Sequence, residues 1–242
     1  MPPADPRLAA LAAAGAIRLA LFLPQYTEDA TGIRGIGTGF IAIEIVGVLA
    51  ARVGIATQVI KYPSPKDAVA GLQDDACDVV FLGIEPSRVA VVDFSPALFQ
   101  FDYSLLVPVG STIGSLEDAD RVGRRIGLVD GHASALALRR IVKQAELIGV
   151  GLPEDAFDLL RDQKVDALAF PRDQLIEFAG RLPGARVLAK GYGVNRVGMA
   201  VAKGSAGLLS YLSEFATEAI TTGLVRRAIE RGNLDGFDVA TA

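Results

Sequence analysis

Glu85, Ser87 and Arg88 follow directly on a short apolar run, Asp78 to Ile84, in the stretch DVVFLGIEPSRVAVVDFSP. A guanidinium presents five N–H donors in a fixed fork and can grip a carboxylate through two parallel hydrogen bonds. Arg88 is therefore the leading candidate for holding an anion, and on spacing alone it reads equally well as a loop Arg that salt-bridges Asp93 or caps a helix. Glu85 beside it has two readings: a structural partner that neutralises Arg88, or a ligand-facing acceptor for a cationic group. A second constellation is DGHAS, Asp130 to Ser134. Strand, glycine, small polar residues and then helix is an anion-binding order, because free backbone N–H groups and the helix dipole point at the loop. His132 is the only histidine in the chain. A catalytic triad or a His-based metal site has little to build on, and a solvated or ligand-facing His132 is expected over a catalytic one.

These residues need strands to carry them. Asp78 to Ile84, with two Val and a Phe closed by Gly83, reads as a buried strand of a parallel sheet. Its carboxyl end is where open α/β sheets bind ligands. Ile17 to Leu23 is a first strand stopped by Pro24, and Gln25 to Thr38 reads as a loop rich in Gly, Thr and charge. GFIAIEIVGVLAARVG gives a helix over 39–53 ended by Gly54. Thr57 to Tyr62 is the next strand, and Lys66 to Asp75 a helix begun after Pro63 and Pro65. This β-α-β-α-β order makes a parallel sheet the economical solution and the class α/β.

Beyond Pro96, FDYSLLVPVG reads as a strand leaving this first half. Arg125 to Val129 is a strand, about Ser134 to Glu146 a helix, and Pro153 to Arg161 another helix. VDALAFP from Val165 is a strand entered by Asp166 as Asp78 enters its own. Arg172 to Arg181 is a helix, Arg186 to Leu188 a strand, and the chain is helical from Ser205 to Arg231 with a break at Gly223. The helix 39–53 carries Phe40, Ile41, Ile43, Ile45, Val46, Val48 and Leu49 on nearly every face, whereas a surface helix shows one stripe. Burial of its second side by a partner subunit, a homodimer through 39–53, is the expectation.

The 242 residues suffice for one large domain or two lobes with a real core. Hydrophobic residues make up 51% and mean hydropathy is +0.38. No run reaches the about 18 apolar residues that a spanning helix needs, so the chain reads as soluble. A formal charge of −4 and no Lys/Arg cluster leave no electrostatic footprint for nucleic acid. Cys77 is alone and reads as a structural thiol. No cofactor is expected. The opening MPPADPRLAALAAAGA lacks the basic-then-apolar order of a secretory signal and reads as a mature or cytoplasmic start.

Asp78, Gly83, Arg88 and Asp93-Phe94-Ser95-Pro96 match, without a gap, the pattern of one receptor group. The stretch resembles the bacterial extracellular solute-binding proteins of family 3, the amino-acid-type receptors of ABC importers, and the likeness extends more weakly from about Ile17 to the last helix. The resemblance implies a two-lobed type 2 periplasmic-binding-protein-like fold, each lobe a mainly parallel sheet flanked by helices. Lobe 1 would be 1–103 with 197–242, lobe 2 would be 108–190, and the hinge crossings 104–107 and 191–196. It implies a solute-binding protein that captures a small carboxylate-bearing ligand in an interlobe cleft, with an ABC permease as partner. The location implied is the periplasm, with the cytoplasm as the alternative. Arg88 would hold the ligand carboxylate together with donors from His132, Ala133 and Ser134, while Gln25, Tyr26 and Glu28 belong to the loop that helps line the cleft. Tyr26 reads equally well as a packing residue.

The chain departs from that pattern at the ligand ammonium. Aligned from Asp166, the acidic residue of the second-lobe strand is Pro171, and Pro65 stands where an aromatic clamps the ligand. Glu85, Asp173 or Arg172 would compensate, and Arg196 would supply a second cation. A small organic acid or modified amino acid is expected ahead of an ordinary polar amino acid. The rival reading is an enzyme resembling the cyclohexadienyl dehydratases, which need a carboxylic acid to protonate a leaving hydroxyl. That position is again Pro171. A ligand-sensing domain of the same fold is the third reading.

Overall fold

The computed structural model describes residues 5–30 and 32–241. The opening prolines, Pro2 and Pro3, and Thr31 in the first loop lie outside the described residues. A 3-10 turn at Pro6–Leu8 leads through α1 (Ala9–Ala14) to β1 (Ala16–Phe22), then β2 (Tyr26–Asp29) and β3 (Gly32–Gly35). There follow α2 (Thr38–Val53), β4 (Ala56–Tyr62), α3 (Pro65–Gln73), β5 (Val79–Gly83), α4 (Pro86–Val89), β6 (Val92–Phe94) and β7 (Phe99–Val107). The chain continues through α5 (Leu116–Ala119), β8 (Arg125–Val129), α6 (Ala133–Ile141), β9 (Glu146–Val150), α7 (Pro153–Arg161), β10 (Ala167–Pro171), α8 (Arg172–Arg181) and β11 (Arg186–Val187). It ends with β12 (Gly193–Ala202), α9 (Ala206–Thr221), α10 (Leu224–Arg231) and β13 (Phe237–Val239).

Two compact units divide these elements. Unit 1 is Met1–Gln100 with Arg196–Ala242, and unit 2 is Phe101–Asn195. In unit 1, β1 pairs in parallel with β4 on one side and β5 on the other, and β12 runs antiparallel to β5. One face of this sheet packs Ala20, Phe22, Val80 and Leu82 against Ala68 and Leu72 of α3. On unit 1 the stretch 25–38 is not a featureless loop: β2 and β3 form an antiparallel ribbon, with Tyr26 opposite Gly35. Alternation there is hidden by two glycines and a run of polar residues, so no period-2 signal marks it.

The apolar surplus of α2 has an intramolecular cause. Ile41, Ala42, Ile45 and Leu49 are buried, and α2 lies against β1, β4 and β5. Its second side is covered by α10 of the same unit, with an ion pair from Arg231 to Glu44 and the backbone of Gly232 against Phe40. Arg52 at its last turn bonds Glu218 of α9. A helix placed between a sheet and two later helices needs apolar residues on both faces, which removes the reason to assign that face to a partner subunit.

In unit 2, β8 pairs in parallel with β9 and β10, and β7 runs antiparallel to β10 and β11. Both faces are covered. Leu105, Ile126 and Leu128 pack with Ala135 and Leu138 of α6, while Leu106, Leu168 and Phe170 pack with Phe157 and Leu160 of α7 and Leu175 and Phe178 of α8. Strands buried on both faces read as continuous apolar runs, as these do. The helix expected to reach Glu146 stops at Ile141, and Glu146 opens a strand instead. The Asp120 carboxylate accepts the N–H groups of Lys143, Gln144 and Ala145 and holds that segment off the helix.

Candidate functional site

Neighbouring parallel strands deliver their carboxyl ends to one edge of the sheet, and in unit 1 those ends belong to β1 and β5. Gln25, just after β1, is buried; its Oε1 accepts the Phe22 N–H at 3.4 Å and its Nε2 donates to the Phe81 carbonyl at 3.2 Å. It stitches the two strand ends together. A Cβ at position 39 would lie 1.9 Å from the Gln25 carbonyl oxygen, so Gly39 is what lets α2 start against this turn. Tyr26 is half-buried in β2.

After β5, Pro86 opens α4, and the Glu85 carbonyl accepts the Arg88 and Val89 N–H groups at 2.9 and 3.0 Å. The Arg88 side chain folds back so that Nη1 donates to the Gly83 carbonyl at 3.1 Å, and the residue is 7% exposed. Glu85 is buried beside it in sequence. Gly83, Glu85, Arg88 and Gln25 thus gather at the carboxyl ends of two adjacent strands. The backbone of Arg196 is near, its carbonyl accepting the Ile84 N–H at 2.8 Å, but its exposed guanidinium donates to the Thr241 carbonyl.

Unit 2 repeats the layout with β8 and β10. A turn closes after β8, with the His132 N–H donating to the Val129 carbonyl at 3.2 Å and Gly131 at φ +73°, a backbone conformation that favours glycine. His132 caps α6: its Nδ1 accepts the Ser134 N–H at 3.2 Å and lies 2.8 Å from Ser134 Oγ. Ala133 and Ser134 are buried in the first turn. The imidazole lies against the ring of Phe170, the last residue before Pro171, at 4.7 Å between centroids. Pro171 is buried and offers no side-chain hydrogen bond.

The acids and bases past Pro171 differ sharply in their surroundings. Arg172 donates through Nη2 to the Ala189 carbonyl at 2.7 Å and stands 4.0 Å from Asp102. Asp173 has a buried Oδ1 with no hydrogen-bond partner, and burial pushes its carboxyl up to about 6 against the opposing N–H groups of Gln174 and its own backbone. Two aromatic residues that the sequence reading passes over support the same loop. Phe170 backs His132, and Tyr192 donates to the Ser134 carbonyl at 3.2 Å while stacking on Tyr103 at 5.7 Å. Burial raises the Tyr192 phenol far above its ordinary range. Tyr192 is 58 positions from Ser134, and no local pattern links them. Among the described residues no cluster of three His, Cys, Asp or Glu side chains is placed to hold a metal ion, and no helix is long and apolar enough to cross a membrane.

No protein-family model matches the chain. A curated relative, the ABC transporter glutamine-binding protein GlnH of Bacillus subtilis (strain 168), is 28% identical over 150 residues. That alignment covers 61% of this chain and 55% of the relative, so the match spans about half the relative's length. Among solved structures, the solute receptor for L-cysteine of Neisseria gonorrhoeae superposes with a TM-score of 0.79 at 21% identity, over 95% of this chain and 94% of the other. This is the type 2 periplasmic-binding-protein fold. The same fold is shared with the ancestral amino acid-binding protein AncCDT-1, a precursor of cyclohexadienyl dehydratase, at a TM-score of 0.76 and 21% identity over 93% and 97% of the two chains. The resemblance to family 3 solute-binding proteins read from Asp78 to Pro96 points to the same group of proteins.

Proposed function

We propose that the chain is a solute-binding protein that captures a small carboxylate-bearing ligand, an organic acid, amino acid or derivative, and presents it to an ABC-type importer outside the cytoplasmic membrane. The observation that carries the reading is Arg88: a residue 7% exposed whose guanidinium is bonded to the Gly83 carbonyl at the carboxyl end of β5. A pre-oriented guanidinium with little side-chain entropy left to lose is suited to bidentate recognition of a carboxylate. The relatives support it, since the names they carry are those of glutamine, L-cysteine and amino-acid receptors.

A thermal-shift screen against amino acids, organic acids and phosphonates tests the proposal. A ligand raises stability by RT ln(1 + [L]/Kd), about 2.7 kcal/mol at a hundredfold excess over Kd. At least one carboxylate should raise the melting temperature of the wild type and leave Arg88→Ala unmoved. An Arg88→Ala chain that responds fully would place the carboxylate elsewhere.

A second reading rests on Asp173. A carboxyl held near pH 6 is protonated often enough at neutral pH to act as a general acid, which a dehydratase needs for a leaving hydroxyl. Incubation with prephenate separates the two readings: phenylpyruvate formed by the wild type and not by Asp173→Asn would favour the enzyme.

A further inference from the structure

We propose that Gln25 is a positioning residue for Arg88: its side-chain amide is inserted between the carboxyl ends of β1 and β5 in place of a backbone hydrogen bond, and the spacing it imposes sets the Gly83 carbonyl that holds the guanidinium. The inference rests on the carboxylate-binding function above and concerns unit 1 alone.

The insertion follows from the register of the sheet. β1 and β5 pair in parallel with Leu19 opposite Val79 and Ala20 opposite Val80. In a parallel ladder each residue bonds the two that flank its opposite number, so the next bond in this register runs from the Phe22 N–H to the Phe81 carbonyl. The pairing stops at Val80 instead, although β1 keeps its other partner, β4, as far as Phe22. One side chain meets both backbone groups. The Phe22 N–H donates to Gln25 Oε1 at 3.4 Å, and Gln25 Nε2 donates to the Phe81 carbonyl at 3.2 Å. An N–H only donates and a carbonyl only accepts, so a single orientation of the amide satisfies the pair. Two bonds and an amide stand where one bond of about 2.9 Å would close the ladder. The strand ends are wedged apart.

The wedge is itself held. Gln25 is 7% exposed, its N–H donates to the Phe22 carbonyl at 2.6 Å, and its carbonyl accepts the Ile36 N–H at 2.8 Å. Gly39 approaches the same carbonyl so closely that a Cβ there would lie 1.9 Å from the oxygen. On its other side β5 is fixed by β12, with Met199 opposite Phe81 and Val197 opposite Gly83. Two residues beyond Phe81, the Gly83 carbonyl accepts Arg88 Nη1 at 3.1 Å. A Phe81 carbonyl drawn toward β1 takes Gly83 with it, because both lie on one short strand. Gln25, nominated from the sequence for the cleft lining, acts through Arg88.

Gln25→Glu keeps the shape of the wedge and loses its donor. At pH 8 the carboxylate faces the Phe81 carbonyl with no hydrogen to offer, and at pH 5, protonated, it donates again. In ligand-free 15N-arginine protein, the Arg88 Nε–H signal is identified by its loss in Arg88→Lys. It should shift or broaden in Gln25→Glu at pH 8 and return to the wild-type position at pH 5. Gln25→Met removes both bonds without a charge and should displace the signal at both pH values. Titration calorimetry with L-alanine, L-glutamine and succinate adds the binding readout. For the probe the wild type prefers, Gln25→Glu should bind about tenfold more weakly than wild type at pH 8 and within about twofold at pH 5. Comparison with wild type at the same pH cancels the titration of His132 and Asp173. Leu212→Ala, on the buried face of α9, lowers stability by another route and should match the wild type in both readouts. An Arg88 signal unmoved in Gln25→Glu at pH 8 and in Gln25→Met, or moved as far in Leu212→Ala, overturns the inference and leaves the function standing. An Arg88→Ala chain that binds as well as the wild type overturns the site assigned to the carboxylate. If the wild type binds none of the three probes, the function loses its support, and the Arg88 signal still decides the inference.

Discussion

Arg18 and Asp78 exchange hydrogen bonds across β1 and β5: the Arg18 N–H donates to Asp78 Oδ2 at 2.6 Å, and the Asp78 N–H donates to the Arg18 carbonyl at 2.9 Å. Arg125 and Asp166 repeat the exchange in unit 2, at 2.8 Å in both directions. In each unit an aspartate just ahead of the third parallel strand fixes its register against the first, and therefore fixes where Arg88 or Pro171 emerges at the far end. Asp78→Ala leaves the Arg18 N–H without its acceptor and should cost about 1–3 kcal/mol in urea unfolding. Asp166→Ala should cost less, about 1 kcal/mol, because its guanidinium partners are more distant, at 3.6 Å. Equal stability of wild type and Asp78→Ala would show that the pairing does not set the register.

Asp173 makes stability depend on pH in a direction opposite to most carboxylates. Its folded-state value of about 6 lies above the ordinary 3.8, so the native state binds the proton more tightly than the unfolded chain does. The stabilisation is present below 3.8 and is lost as pH rises through about 6. Asp173→Asn should flatten that part of the profile and raise stability at pH 8 by about 3 kcal/mol. Chemical denaturation at pH 4 and pH 8 checks it, and an unchanged difference between the two would rule Asp173 out as the source.

Gly39→Ala probes the contact that lets α2 begin beside Gln25. The added Cβ would sit 1.9 Å from a backbone oxygen and 2.8 Å from its carbon, neither of which can swing aside. Overpacking against backbone should cost about 3 kcal/mol. Differential scanning calorimetry should show a lower transition. Gly47→Ala on the exposed face of the same helix has open space around it and should be neutral or slightly stabilising.

The two arginines nominated near β5 should behave differently. Arg196→Ala removes an exposed guanidinium bonded to the Thr241 carbonyl and should leave carboxylate affinity within about twofold. Arg88→Lys keeps the charge and loses the fork, so affinity should fall at least about tenfold. Isothermal titration with whichever carboxylate raises the melting temperature compares them. A larger loss in Arg196→Ala than in Arg88→Lys would reverse their assignment.

The sequence by itself determined the α/β class, the strands carrying Arg88 and Pro171, and the turn before His132. Each rests on short-range signals: apolar runs bounded by glycine or proline, and the repeated aspartate ahead of Val79 and of Ala167. The tertiary structure alone decided the rest. Helix α2 carries apolar residues beyond one stripe in part because α10, far along the chain, packs against it. Glu146 to Val150 is a strand because Asp120 takes the N–H groups that a longer helix would have used. The Ser134 carbonyl in the turn after His132 is held by the hydroxyl of Tyr192, 58 positions further along. Such choices depend on hydrogen bonds and burial between residues distant in the chain, and local periodicity carries no record of them.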